Sequence, residues 1–282
     1  MTALLSIWLI LGFPLSSAKN GQTENIRVKL GACDWTLGKT GDPAALEMAA
    51  RLGLDGVQVS LGIKGESPAL LDRNLQQSYL EAAKKHRVQI ASFALGELNN
   101  FPLKSDPRAE KWLEQGIAIA ASMGVKFVLV PFFGKGDLRN DPTGTEAVVE
   151  KLKRLCPKAE RAGVILALES WLSADEHMDI IRRVGSPSLQ VYYDVGNSQE
   201  AGHPIFKEIR MLGALICQIH AKDYTDLYGK GSMNFQEVRR AMEDIGYAGW
   251  LVMEGIHLPL GIEKSVLYDA EYLKTVFGPK NK

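Results

Sequence analysis

One recurring phrase constrains this chain more than any other feature: a helix-patterned segment closes on a glycine, and a short, almost uninterrupted apolar run follows within a few residues. It is read in MAARLGLDGVQVS, IAASMGVKFVLVPF, AERAGVILALES, RMLGALICQIHAKD and MEDIGYAGWLVMEG. A glycine just past the last helical turn takes the left-handed conformation without a Cβ penalty. An apolar run without polar alternation is a strand covered on both faces, as in parallel sheets flanked by helices. Helix, glycine and buried strand, repeated in this order, define parallel β/α units.

The runs predict strands over 28–33, 56–60, 88–95, 126–131, 164–169, 189–194, 215–220 and 250–254, with helices over 43–52, 68–86, 107–123, 145–162, 174–184, 204–212, 234–245 and 263–276. Asp42-Pro43, Ser67-Pro68 and Asp106-Pro107 each pair a capping residue with a first-turn proline. Eight strands and eight helices are the count of an α/β protein of the closed (β/α)8 TIM-barrel type. The open doubly wound alternative, in its nucleotide-binding form, needs a Gly-x-Gly-x-x-Gly after the first strand, and none is present. The length of 282 residues suits one such domain, expected over 28–278.

Ahead of the barrel, an uncharged apolar stretch over 4–13 is followed by Pro14 and the small residues Ser16, Ser17 and Ala18. This is the pattern of a secretory leader. Residues 1–18 are expected to be a signal peptide, 19–27 a flexible N-terminal segment, and the mature chain to be exported, periplasmic or secreted. The start carries no Lys or Arg, so retention as an anchor is the competing reading. Against it, the apolar run is shorter than the roughly 20 residues of a membrane span. No other stretch is long enough, so no stable span is expected after cleavage. The cysteines, Cys33, Cys156 and Cys217, are odd in number and scattered in apolar contexts, and they read as buried free thiols. Lys plus Arg equals Asp plus Glu at 33 each, and no basic run is interleaved with aromatics, which argues against nucleic acid as a partner.

In a barrel of this type the active site gathers at the carboxyl ends of the strands. Four consecutive predicted strands end in Glu169, Asp194, His220 and Glu254. Neighbouring strands lie about 4.8 Å apart, so inward side chains at these ends converge. Three carboxylates that close repel one another, and one divalent metal ion removes the penalty. Three oxygen donors and one imidazole suit Mn, Co, Mg or Zn. Singly, each carboxylate reads more readily as a helix cap or a loop ion-pair partner than as a ligand. Four consecutive strand ends are what point to a metal.

The most specific features are Glu169 closing the fifth strand, Asp194-Val195-Gly196-Asn197 closing the sixth, His220-Ala221-Lys222-Asp223 closing the seventh, Gly229-x-Gly231 with Phe235 opening the next helix, and Met253-Glu254-Gly255 closing the eighth. In these the chain resembles the sugar isomerase/epimerase superfamily of xylose-isomerase-like barrels, over almost the whole mature sequence. That group also holds endonuclease IV, tagatose-type epimerases and inosose dehydratases. The resemblance implies that Glu169, Asp194, His220 and Glu254 bind the metal, and that Glu169 and Glu254 are catalytic. From opposite sides they remove and return a proton at a carbon beside a carbonyl, while the metal, as Lewis acid, stabilises the enediolate. A carboxylate ordinarily titrates near 4, so the pocket must raise its basicity.

Four further residues are expected to bind substrate. Trp35 and Trp171 either stack on a sugar ring or plug the barrel mouth. Lys222 either polarises a substrate oxygen or closes a salt bridge. Asn197 stands where tagatose-type epimerases carry a substrate-touching His; it hydrogen-bonds a hydroxyl but cannot relay protons. Two departures from the family bear on the exact reaction: Glu-x-His after the fifth strand is Glu169-Ser170-Trp171, and Asp226 stands where related epimerases carry Arg. His203 reads as a surface loop residue, and His86, His177 and His257 have no ligand-like setting. The expected partner is a small-molecule carbohydrate, an unphosphorylated sugar or keto-sugar derivative, because export argues against phosphorylated intracellular metabolites. Isomerisation or epimerisation is expected; a dehydratase or lyase on the same site and a non-catalytic sugar-binding barrel are the alternatives. The endonuclease reading lacks histidines where Ser92, Pro131 and Asn197 stand. A homodimer is common for such barrels, though no exposed stripe demands one here.

Overall fold

The computed structural model describes residues 28–255 and 257–278; the expected leader and the segment over 19–27 lie outside the described residues. Eight strands, β1 (Lys29–Cys33), β2 (Gly56–Ser60), β3 (Gln89–Ala94), β4 (Phe127–Phe132), β5 (Ile165–Ser170), β6 (Leu189–Asp194), β7 (Ile216–Ala221) and β8 (Trp250–Met253), close in chain order into a parallel barrel. The seam pairs β8 with β1, from Lys29 opposite Trp250 to Ala32 opposite Met253. Around it run α1 (Ala44–Arg51), α2 (Arg73–His86), α3 (Pro107–Met123), α4 (Pro142–Ala162), α5 (Ala174–Val184), α6 (Val195–Glu200), α7 (Ile205–Leu212), α8 (Phe235–Asp244) and α9 (Ile262–Phe277).

The recurring phrase folds as its chemistry requires. Gly124 ends α3 at φ 68° and takes two carbonyls of the last turn on its N–H, and β4 follows within three residues. The main core lies between strands and helices and includes Leu46, Trp112, Ile119, Leu152, Leu166 and Val238, all at most 1% exposed. Each such side chain contributes roughly 1.5–3 kcal/mol by burial. A second cluster fills the barrel interior with small residues, Cys33, Ala91, Ala94 and Ala167, around Tyr192 and Trp250. Trp250, at the start of β8, closes the amino-terminal end, leaving the carboxyl end open for polar groups.

Three elements differ from the sequence expectation. Ser67-Pro68 does not open α2: Ser67–Pro68 pairs antiparallel with Ile63–Lys64, and the helix starts at Arg73, where the Asp72 carboxylate accepts from Asn74 N. Helix α4 starts earlier, at Pro142, because Asp141 accepts from Gly144 N and pairs with Lys104 at 2.8 Å. The short α6 is additional. It follows β6 without a loop because Asp194 itself caps it, accepting from Asn197 N at 2.7 Å. Cys33 and Cys156 are buried free thiols as expected, whereas Cys217 is only half-buried. Among the described residues no helix is long and apolar enough to cross a membrane.

Candidate metal centre at the barrel mouth

The four expected ligands meet. Glu169 is the next-to-last residue of β5, Asp194 ends β6 in register with His220 on β7, and Glu254 extends the ladder past β8 by donating its N–H to Ala221 O at 2.9 Å. One ligand atom from each lies within 4.8 Å of all the others. His220 Nδ1 is the hub, 2.8 Å from Glu169 Oε1, 3.5 Å from Glu254 Oε2 and 3.6 Å from Asp194 Oδ2.

The far side of the imidazole is fixed by residues that the sequence analysis did not single out. His220 Nε2 lies 2.8 Å from Gln58 Oε1, and the Gln58 amide donates to Ser92 Oγ at 3.0 Å. Cys33 Sγ donates to the same Gln58 oxygen at 3.2 Å, and the Tyr192 ring packs on the imidazole with centroids 4.1 Å apart. The available signal was a glutamine and a serine inside strands that are otherwise apolar, where a buried polar side chain must have partners.

Lys222 reaches back into the cluster, with Nζ 2.8 Å from Glu254 Oε2 and 3.6 Å from Asp194 Oδ2. It closes the salt bridge that was one of its two expected roles. Gly196 permits this: a Cβ there would meet Lys222 Cβ at 2.7 Å and the Lys222 carbonyl oxygen at 3.0 Å, so the Asp-Val-Gly-Asn turn needs a residue without a side chain at that point. Trp35 donates Nε1–H to Glu254 Oε1 at 3.2 Å. Its loop is tied down by Asp34, which accepts from Ser60 N, Ser60 Oγ and Gly41 N at 2.8, 2.8 and 3.0 Å. Asn197 Nδ2 donates to Glu169 Oε1 at 3.5 Å, and the Tyr224 hydroxyl donates to Asn197 Oδ1.

Burial works against every charge here, and the neighbours decide the outcome. It opposes ionisation of Asp194, but Lys222 and His220 outweigh it and hold that carboxyl well below the usual range. Burial pushes Glu254 up to about 7, against the pull of Lys222 and His220. Burial also depresses Lys222 and His220, yet surrounding acidic groups hold both above their ordinary values: Asp194 and Glu254 for the lysine, Tyr192 and Glu169 foremost for the histidine.

These residues fit a divalent cation. Asp194 Oδ2 is buried without a hydrogen-bond partner and aims at the hub, a costly state unless something positive takes the lone pair. Three carboxylates and one imidazole form a hard, oxygen-rich donor set. A cation held there needs Nδ1 free of a proton, so metal binding would compete with protonation of the imidazole.

Above the cluster opens a cavity of about 460 Å³. All four expected substrate residues, Trp35, Trp171, Asn197 and Lys222, line it together with Glu169 and Glu254. Glu97, Phe133 and Tyr224 also line it and were not singled out as site residues. His203 stays behind the wall, with Nε2 2.9 Å from Trp171 O. Asp226 accepts from its neighbour Leu227 N and does not line the cavity. His177 is buried between Ser170 and Ser173, at 2.9 Å from each, in a structural role.

A closed β/α barrel that gathers a His and three carboxylates at the ends of its last four strands belongs to a recognisable class, that of barrels with a carboxylate-rich candidate metal centre. Within it, the chain belongs to the xylose isomerase-like TIM barrel family, whose sequence profile matches residues 46–276. It is 28% identical over 198 residues to 2-epi-5-epi-valiolone 7-phosphate 2-epimerase of Actinoplanes sp., covering 69% of this chain and 72% of that one. It is 24% identical over 228 residues to L-ribulose-5-phosphate 3-epimerase of Salmonella heidelberg, covering 74% and 80%. Among solved structures it resembles D-psicose 3-epimerase in the presence of D-fructose, with a TM-score of 0.74 at 16% identity over 89% of this chain and 100% of that one.

Proposed function

We propose that the protein is a metal-dependent sugar epimerase or isomerase that moves a proton at a carbon beside the carbonyl of an unphosphorylated sugar or keto-sugar derivative. The observation that carries the reading is the placement of Glu169 and Glu254. Glu169 on β5 and Glu254 just past β8, with β6 and β7 between them, stand on either side of His220, and both line the same cavity. The relatives' names, a 2-epimerase and a 3-epimerase, support an isomerase-class enzyme.

Glu169, Asp194, His220 and Glu254 would hold one divalent ion of the Mn, Co, Mg or Zn type. When bound, it supplies Lewis-acid polarisation of a substrate carbonyl. The chain's own residues do the rest. Glu254, raised by burial towards neutrality, is suited to exchange a proton at working pH. Trp35 and Lys222 each hold one of its oxygens. Glu169, oriented by His220 and Asn197, faces the substrate from the other side. A proton removed by one and returned to the same carbon by the other inverts that carbon; return to the former carbonyl carbon, with the hydroxyl proton passing to the former carbonyl oxygen, moves the carbonyl. Trp35 and Trp171 supply apolar surface for the sugar, and Asn197 and Lys222 supply hydrogen bonds.

The absence of phosphate from the substrate is supported by charge. Among the described residues that line the cavity Lys222 is the one cation, and it is already engaged with Glu254 and Asp194, while Glu97 adds a further carboxyl. Phosphate sites ordinarily use an arginine or a free helix N-terminus. Export by the leader over 1–18 is part of the same proposal, since exported enzymes meet unphosphorylated sugars.

The test is metal content by elemental mass spectrometry, beside a Glu169→Gln, His220→Ala double variant, followed by incubation with keto sugars in deuterated water. About one equivalent of metal in the parent only, with deuterium appearing beside the carbonyl, is the expected result. Loss of a hydroxyl or glycoside instead of exchange would turn the reading to a lyase. A parent that binds neither metal nor exchanges any sugar removes the enzyme reading in favour of a sugar-binding barrel.

A further inference from the structure

The floor and the outer wall of the cavity are built for different tasks. At about 30 Å³ of liquid per water, a cavity of 460 Å³ corresponds to roughly fifteen waters. It falls within the range of about 300–1,000 Å³ typical of pockets for small-molecule ligands. A keto sugar reacting between Glu169 and Glu254 occupies the floor.

Trp171 stands two residues beyond Glu169, just past the end of β5. At about 3.3 Å per residue this is roughly 6–7 Å further out. Its indole is immobilised by groups that take no part in the metal cluster. The Arg139 guanidinium lies over it at 4.4 Å and is itself held by Asp137 at 2.8 Å. Phe133 packs edge-on, with centroids 4.9 Å apart at 72°. The Trp171 carbonyl is fixed by His203. Yet Trp171 and Phe133 remain half-buried and line the cavity. An indole fixed from behind and open in front is a platform for the apolar face of a pyranose ring. Glu97 and Asn100, from the segment after β3, line the same cavity and offer hydrogen bonds to hydroxyls.

We propose that Trp171 and Phe133, with Glu97 and Asn100, form an outer sugar subsite, and that the preferred substrate is a keto sugar carrying a second glycosyl ring. The inference rests on the function proposed above for the inner ring. The outer ring is neutral, because no unpaired cation lines the wall among the described residues.

The test is calorimetric binding of D-fructose and of the keto-disaccharides isomaltulose and lactulose to the metal-loaded chain, to Trp171→Ala and to Trp171→Phe, with deuterium exchange read on the same samples. At least one disaccharide is expected to bind about tenfold tighter than fructose. Trp171→Ala should erase that advantage, weakening the disaccharide about tenfold more than fructose, and Trp171→Phe should keep part of it. Equal binding of mono- and disaccharide, equal weakening of both by Trp171→Ala, or binding of neither overturns the subsite. Exchange separates the two readings: a disaccharide preference without exchange keeps the subsite and discards the proton-transfer chemistry, whereas exchange of fructose without that preference does the reverse.

Discussion

His220 Nε2 lies 2.8 Å from Gln58 Oε1, and this contact decides which imidazole nitrogen faces the carboxylates. Because the Gln58 amide donates to Ser92, its carbonyl oxygen faces the ring as an acceptor. Nε2 therefore carries the proton, and Nδ1 is the nitrogen turned toward Glu169, Asp194 and Glu254. Such a partner behind a metal-binding histidine fixes its tautomer and orientation.

Gln58→Leu should lower affinity for a divalent ion by about 10–100-fold while the barrel still folds. Titration of the purified variant with manganese, read beside its circular dichroism spectrum, checks this. Unchanged affinity would show that the Gln58 contact is incidental.

Tyr224→Phe removes the hydroxyl that holds Asn197, which in turn donates to Glu169. One lost hydrogen bond at the reacting group is worth about 1.4 kcal/mol, or roughly tenfold in kcat. Metal content and melting temperature should stay as in the parent. A variant with full turnover would remove Tyr224 from the positioning of the base.

Gly196→Ala drives a Cβ to 2.7 Å from Lys222 Cβ and 3.0 Å from the Lys222 carbonyl oxygen. Overpacking of this kind costs about 1–3 kcal/mol, and here it also pushes Lys222 off Glu254. Urea denaturation should show the loss, together with slower exchange. Parent-like stability and rate would mean that α6 shifts aside freely.

Acid sensitivity should come in part from His177. Burial holds its imidazole down to about 4 in the folded chain, whereas the unfolded chain titrates near 6.5. Between these values the unfolded state binds more protons, so this contribution is complete above about pH 6.5 and is lost as pH falls toward 4. It amounts to about 3 kcal/mol. Denaturation across that window should show stability falling with acid, and His177→Gln should flatten the slope. An identical slope in the variant would assign the effect to other groups.

The barrel and its four convergent strand ends were legible because both are local in the chain. Helix, glycine and apolar run sit within about fifteen residues of one another, and a residue that terminates a buried strand is marked by position alone. The capping of α2 by Asp72 and the addition of α6 were not legible, since each is a competition between neighbouring side chains for the same backbone donors. Asp194 was read as a ligand, and it is also the cap that starts α6.

The sequence by itself determined the order of the β/α units, the single barrel they close, and Glu169, Asp194, His220 and Glu254 at its carboxyl end. Only the tertiary structure decided that Lys222 pairs with Glu254, that Tyr224 stands behind Asn197, and that Trp171 is clamped by Arg139 and Phe133. The physical reason is separation along the chain. Gln58 and His220 are 162 residues apart yet share one hydrogen bond. Closing the barrel brings such pairs together, and no local periodicity encodes which side chain each will meet.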